Sequence, residues 1–397
     1  MPWLNDLIES TEEAESPSQF IYWSGLCAIS AILRKNVYLN KFYYHLYPNI
    51  YVMLVAKPGG RKGFPVKLAK KLVQAVNSTR IISGRNSIQS VLKELSTAYT
   101  FPDGKAPMTA AHAFLVSPEF TNLIIDDPGS LAILTELYDT HDNEPEWKNT
   151  LKGSGTENLK EPCITMLGAS NQTHFNNRVT AIDVNGGFVG RTLLILDDTK
   201  GKINPLTEEP KTSFDVTKLI DFLIHLSELK GEFHYSSDGK RFFEEWYKSF
   251  RKQNFEESTG VADRFHDHVL KVAMLLSVSE SDTLILEQNH IETSLELCNK
   301  IIGNVKRVTG GTGKSQFGPQ TKIVIDELLK ADENKLSRRK LLQKHYGEFD
   351  AMDLDRIIIT LISSGVVTEM IYGKETWYLM NKEIVEQFNS YLKQVIN

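Results

Sequence analysis

The stretch IYVMLVAKPGGRKGFPVKLAKKLVQAV, residues 50–76, decides the fold. Its first seven residues are a short apolar run with β-branched side chains that stops at Pro58-Gly59-Gly60. That is the pattern of a strand buried on both faces running into a tight loop. From Pro65 to Val76 apolar residues return at helical spacing. Strand, glycine-rich loop and helix in that order are the setting of a phosphate-binding loop, whose consensus is G-x-x-x-x-G-K-S/T. Lys62 stands at the lysine position, within Pro58, Gly59, Gly60, Arg61, Lys62 and Gly63. Backbone N–H groups of residues 59–63 and the helix N-terminus can cradle the β- and γ-phosphates of a nucleotide. Three positions depart from the consensus. Ala56 replaces the first glycine, Arg61 the glycine before the lysine, and Gly63 the hydroxyl that holds Mg2+. Without a nucleotide, the same letters describe a glycine turn with solvated charges.

Outward from this stretch, three more apolar runs read as buried strands: AFLVS (113–117), CITMLGA (163–169) and TLLILD (192–197). Helical segments lie between them, around 87–98 and 129–139. Strands alternating with helices predict an α/β fold with a mainly parallel sheet. Residues 1–40 read as helical, with a second helix through Phe20, Trp23, Leu26, Ile29 and Leu33. Ser16 is the expected cap of that helix, followed by Pro17 at its first position and Gln19 completing a capping box. Residues 214–307 read as helical apart from a short strand at 232–235.

Residues 308–320, VTGGTGKSQFGPQ, read as a linker. They contain Gly313-Lys314-Ser315, the textual end of a phosphate-binding motif, but no strand feeds it. Helices are expected at about 321–331, 335–345 and 350–364, then two strands within 366–380 around a turn at Gly373. Three helices followed by a hairpin form the winged-helix pattern. The expected division is a helical segment (1–45), an ATPase core (46–200), a helical lid (201–307), the linker, and a winged helix (321–397).

The bulk numbers are those of a globular chain: 397 residues, 41% apolar, 24% charged and 10% aromatic. A net charge of −5 argues against a protein that coats DNA through bulk charge, while leaving room for local basic patches. Cys27, Cys163 and Cys298 are far apart and in no metal-ligand spacing, which fits a reduced, cytoplasmic setting. No run approaches the length of a membrane span, so no membrane partner is expected.

Three further residues complete a candidate nucleotide site in chain order. Glu119, after AFLVS, stands at the end of a buried strand, where an acid can orient the attacking water and help hold Mg2+. Ser117 occupies the position where an aspartate is common. Asn171, after CITMLGAS, can polarise the same water. Arg191, just before TLLILD, can reach a neighbouring subunit's nucleotide as an arginine finger. Taken singly, these are also an exposed acid, a loop asparagine and a surface arginine.

The runs YWSGLCAIS, LYPNIYVMLVAKPGGRKG, AFLVSPEF, LAILTELYDTHD, EPCITMLGASN and GGFVGRTLLIL together resemble phage and mobile-element replication ATPases, AAA+-like proteins of the helicase or primase-associated helicase kind. Members of that group often carry an Arg-Lys pair in the loop, as Arg61-Lys62 here. The segment GVADRFHDHVLKVAMLLSVSESDTLILEQNHIETSLELC is similar to the lid of MCM-type helicases, and that likeness makes Arg264 a sensor arginine. The resemblance covers about residues 18–380. It implies ATP and Mg2+ as cofactors, a homo-oligomeric ring that is most often a hexamer, DNA as partner, and a separate primase.

Residues 140–162 carry Trp147, Lys148, Lys152 and Lys160 around Gly153-Ser154-Gly155, the composition of an exposed hairpin or loop. The resemblance places such a hairpin in the ring's pore, with Lys148 or Lys152 on phosphates. Trp147 can then stack on a base, or else pack back on the core. In the C-terminal module Lys335, Arg338, Arg339, Lys340 and Lys344 crowd one stretch, either a DNA-contacting patch or a solvated helix face. Two functional classes stay open on the sequence: a DNA helicase or translocase driven by ATP, and a non-motor adaptor with a degenerate nucleotide site.

Overall fold

The computed structural model describes all residues except 1–2, 121–128, 140–145, 152–154, 180–182, 184–186, 200–202, 204–215, 253–259, 310–317, 374 and 382–397. Lys152 and the Gly313-Lys314-Ser315 motif therefore lie outside the described residues. The chain divides into two compact units, Met1–Thr312 and Gly313–Asn397.

The first unit opens with α1 (Trp3–Glu9) and α2 (Ser18–Leu33), then a hairpin of β1 (Val37–Asn40) and β2 (His45–Leu46). β3 (Tyr51–Val55) leads through the glycine-rich loop into α3 (Gly63–Val76). Then come β4 (Arg80–Ser83), α4 (Ile88–Ser96), β5 (His112–Ser117), α5 (Ser130–Tyr138) and the antiparallel pair β6 (Glu146–Leu151) and β7 (Gly155–Lys160). β8 (Cys163–Ser170), α6 (Gln172–Arg178), α7 (Phe188–Arg191) and β9 (Thr192–Leu196) complete the central layer. α8 (Val216–Glu228), β10 (Gly231–Tyr235), α9 (Ser237–Phe250), α10 (Val261–Glu280), β11 (Ile285–Leu286) and α11 (Gln288–Thr309) follow.

Five strands make one all-parallel sheet in the order β4-β5-β8-β3-β9. β3, β5 and β8 are buried at every position, as runs without alternation require when helices cover both faces. The chain leaves β3 through α3 and returns at the far edge, β4, so β3 ends beside the C-terminal ends of β8 and β9. In open parallel sheets that switch in strand order leaves a crevice where ligands bind. α2 is buried almost all round and packs on α3 and β8, which makes it a core helix. Ser30 and Thr165 join it to β8 by a 2.7 Å hydroxyl–hydroxyl bond.

Two expectations for the N-terminal region are corrected. Residues 37–40 are a strand: β1 pairs in parallel with β10, which pairs with β11, giving a second sheet β11-β10-β1-β2. Ser16 does not cap α2. Pro17 holds the cap position, and the Ser16 hydroxyl donates instead to the Arg61 carbonyl at 2.8 Å.

The second unit has its own core around Leu341, Leu354, Ile357 and Tyr378. It comprises α12 (Gly318–Lys330), β12 (Lys335–Ser337), α13 (Arg338–His345), α14 (Ala351–Ser363), β13 (Val367–Tyr372) and β14 (Glu375–Met380). β12-β14-β13 form an antiparallel sheet against the three helices. The expected helix at 335–345 begins three residues late because Lys335–Ser337 join this sheet. Ser337 then caps α13, accepting from the Lys340 amide.

Candidate nucleotide site at the C-terminal edge of the sheet

The loop between β3 and α3 is shaped by two glycines. Pro58 and Gly59 occupy the middle of a tight turn closed by the Gly60 amide on the Lys57 carbonyl at 3.0 Å, and Gly59 has φ +79°. A side chain at Gly60 would put Cβ 2.8 Å from the Ala56 methyl. With alanine at 56, residue 60 has to be glycine. Gly63 is different: a Cβ there would meet nothing closer than Pro118 at 3.9 Å, so a hydroxyl at that position is not sterically excluded.

Lys62 holds the N-cap position before α3 and folds its ammonium back over the loop, donating to the carbonyls of Ala56 at 3.0 Å and Lys57 at 2.9 Å. Partial burial lowers its pKa, with Glu119 and Asp198 opposing that shift. Arg61 has φ +51° and is held from outside the loop. Its guanidinium pairs with Glu15 at 2.5 Å and its carbonyl accepts from Ser16.

Sheet register brings the other sequence-predicted groups to this edge. Val55 stands level with Ser170 on β8, so Asn171 lies just beyond the strand beside Ala56, whose amide donates to the Ser170 carbonyl. Asn171 is the N-cap of α6: its side-chain oxygen accepts from the His174 amide at 2.8 Å, which leaves the amide nitrogen as its remaining donor. β5 ends next door, with exposed Glu119 two residues beyond it. The Ser117 hydroxyl is turned into its own loop, donating to the Glu119 carbonyl at 2.9 Å.

Two acids were missed from the sequence. Asp197 and Asp198 end β9, on the other side of β3. The Asp197 amide donates to the Val55 carbonyl and the Lys57 amide to Asp198 Oδ1 at 3.4 Å. Together with Glu15 and the glycine loop they line a cavity of about 470 Å³. The run TLLILDD carried the signal, since a strand parallel to β3 must end beside the same loop. Among the described residues no three His, Cys, Asp or Glu side chains group to hold a metal ion.

The two candidate arginines stand elsewhere. Thr192 is level with Tyr51, so Arg191 lies where the strands begin. Its guanidinium pairs with Asp139 (Nε–Oδ2 2.7 Å) and donates to the Gly187 carbonyl, with only 11% of the side chain exposed. Arg264, in the first turn of α10, lines a second cavity of about 360 Å³ at the same end. A five-residue strand is about 16 Å long. Neither arginine therefore reaches the loop of its own chain. Beneath Arg264, buried Lys271 donates to the Asn49 carbonyl and Oδ1 at 3.0 and 2.8 Å, and burial lowers its pKa to about 8.

The candidate nucleic-acid residues fall into paired and unpaired groups. Trp147 packs half-buried on the core and donates to Glu136 at 3.1 Å, which is the inward reading, not a ring held out for stacking. Lys148 pairs with Glu146 at 3.4 Å, and Lys160 is exposed on β7. In the second unit Lys335 pairs with Glu333, Arg338 with Asp355 and Lys344 with Glu327. Arg339 and Lys340 make no ion pair among the described residues. Much of the expected basic patch is thus neutralised within the unit.

No protein-family model matches the chain, and no curated protein matches its sequence. No helix among the described residues is long and apolar enough to cross a membrane.

Proposed function

We propose that the chain is an ATP hydrolase of the helicase or translocase kind, with an AAA+-like phosphate-binding core, acting on DNA as an oligomeric ring. One observation carries this reading: Lys62, Asn171 and Glu119, distant in sequence, meet at one edge of a parallel sheet, at the switch in strand order. The 470 Å³ cavity lies beside them, on the β9 flank of the same loop, and is lined by the loop but not by these three side chains. Lys57 and Arg61 offset two of the three carboxylates, Glu15, Asp197 and Asp198, that share its wall. Lys62 and the first amides of α3 would hold the phosphates. The Asn171 amide nitrogen would position water, and Glu119 would orient it. Mg2+ bound with the nucleotide would neutralise charge on the phosphates, with Glu119 as its protein ligand. A ring, expected to be a hexamer, rests on the sequence resemblance alone, since Arg191 is buried in its pair with Asp139 and Arg264 stands at the opposite end of the sheet from the loop. We read the second unit as a winged helix, with Arg339 and Lys340 its free cations for DNA, and priming as the work of a separate primase. A cytoplasmic site of action follows from this reading.

A second reading has its own observations. Gly63 offers no hydroxyl, Ser117 turns its hydroxyl away, and the Asn171 oxygen is engaged as a cap. These favour an adaptor that binds nucleotide without turnover and recruits a replication partner through its second unit. Hydrolysis measured with Mg2+, with and without single-stranded DNA, separates the two. The motor reading expects strand-stimulated hydrolysis that falls about 100-fold or more in Lys62→Ala. No hydrolysis by the unmodified, oligomeric protein would leave the adaptor.

A further inference from the structure

The first unit carries a second surface that the nucleotide site does not use. At the tip of the β1–β2 hairpin, Phe42 and Tyr43 expose 87% and 79% of their surface. Their rings meet edge to face, with centroids 4.9 Å apart. Phe42 has φ +66°, an uncommon and strained conformation for a bulky side chain. The loop is fastened by its own hydrogen bonds: the Phe42 amide to Asn40 Oδ1, the Tyr43 amide to the Lys41 carbonyl, and the Lys41 amide to the Tyr44 carbonyl. These bonds fix the backbone from which the two rings project into solvent.

Below the tip the hairpin continues as an aromatic row. Tyr38 lies 4.2 Å from His45 and 6.4 Å from Tyr47, and the Lys35 ammonium sits 4.9 Å from the Tyr47 ring centre. His45, Tyr47 and Lys35 also line the 360 Å³ cavity, with Arg264 and Lys271. Two of the three carboxylates of that cavity have cationic partners within the chain, while Asp267 faces a histidine whose pKa burial lowers. Asp139 pairs with Arg191, Asp263 lies 3.5 Å from Arg251, and Asp267 lies 3.3 Å from His266 and accepts from the Tyr44 hydroxyl. Lys35 and Arg264 have no carboxylate partner among the described residues.

We propose that this hairpin and the cavity beside it bind single-stranded nucleic acid, with Phe42 and Tyr43 stacking on bases and Lys35 and Arg264 taking phosphates. Flat aromatic faces interleaved with unpaired cations are the chemistry of strand binding without sequence preference. Aromatic and charged side chains make up most of the cavity lining, with Leu46 among them, whereas a groove for a partner helix is lined mainly by aliphatic ones. A duplex keeps its bases stacked inside and offers these rings nothing. The site shares its nucleic-acid partner with the reading above and stands whether or not ATP is hydrolysed.

The test uses the full chain without nucleotide, with a fluorescent single-stranded oligo-dT and a duplex of equal length, read by anisotropy. Phe42→Ala/Tyr43→Ala is expected to weaken strand binding about 100-fold, roughly tenfold per ring, and to leave duplex binding unchanged. Phe42→Trp/Tyr43→Trp is expected to stay within a few-fold of the unmodified protein. Strand binding as tight in the alanine variant, equal loss in the tryptophan variant, or no strand binding by the unmodified protein would each overturn the proposal. The first of these would make the tip a protein contact. Basal ATP hydrolysis, read in parallel, is expected to be the same in all three proteins, so a failed ATPase reading and a failed strand site give different results.

Discussion

Arg61 shows how a single residue can depart from a motif and keep its geometry. The loop needs a positive φ just before Lys62, which glycine supplies freely and arginine adopts at a cost of about 1 kcal/mol. Glu15 and Ser16 hold the residue there from a segment 45 positions away. The ion pair is largely solvated and is worth at most about 1 kcal/mol. Arg61→Gly is therefore expected to change stability little, whereas Arg61→Ala loses the pair and keeps the strain. Urea unfolding should place the alanine variant about 1 kcal/mol below the glycine variant. Equal stability would mean that the backbone there relaxes once the side chain is gone. None of this was legible in the motif. The Ser16-Pro17 pattern read as a helix cap, because a hydroxyl before a helix is equally able to serve a distant carbonyl.

At the scale of elements, the buried strands were legible because runs such as YVMLV and CITMLGAS contain no alternation and only one burial pattern suits them. β4 was not. Its four residues begin with Arg80, whose guanidinium is buried against the carbonyls of Glu94 and Thr97, and no periodicity marks a charged residue as a strand start. β12 was hidden in the same way inside a basic run read as helix. That run also shows what charge counting omits. Arg338 is engaged in a two-pronged contact with Asp355, at 2.9 and 3.0 Å, which ties α13 to α14. Asp355→Ala should cost under about 1 kcal/mol, since the pair is largely exposed. It should also free one cation, tightening duplex DNA binding at low salt and steepening its salt dependence by about one unit of slope. Unchanged binding would place α13 away from DNA.

At the scale of the whole molecule, two buried histidines tie the fold to pH. Burial is the main cause that lowers the pKa of His112 to about 3 and of His268 to about 4. In the unfolded chain each titrates near 6.5. As pH falls below that value the unfolded state takes up protons that the folded state refuses, so stability declines. By about pH 4.5 the two together have removed roughly 5 kcal/mol, comparable with the whole margin of a typical domain. Acid unfolding is expected in that region. His268→Gln, which removes one of the two titrations, should move the midpoint to lower pH. A midpoint unchanged in that variant would assign the acid sensitivity to other groups.

The architecture also separates two cavities at opposite ends of one sheet, and nucleotide is expected at the end where the strands finish. Hydrogen exchange of the backbone amides, with and without ATP and Mg2+, reads that location directly. Slower exchange is predicted at residues 59–63 and at Asn171, with little change at 44–49 or 261–271. Protection confined to 44–49 and 261–271, or none anywhere at saturating nucleotide, would contradict the assignment of the glycine loop as the nucleotide site.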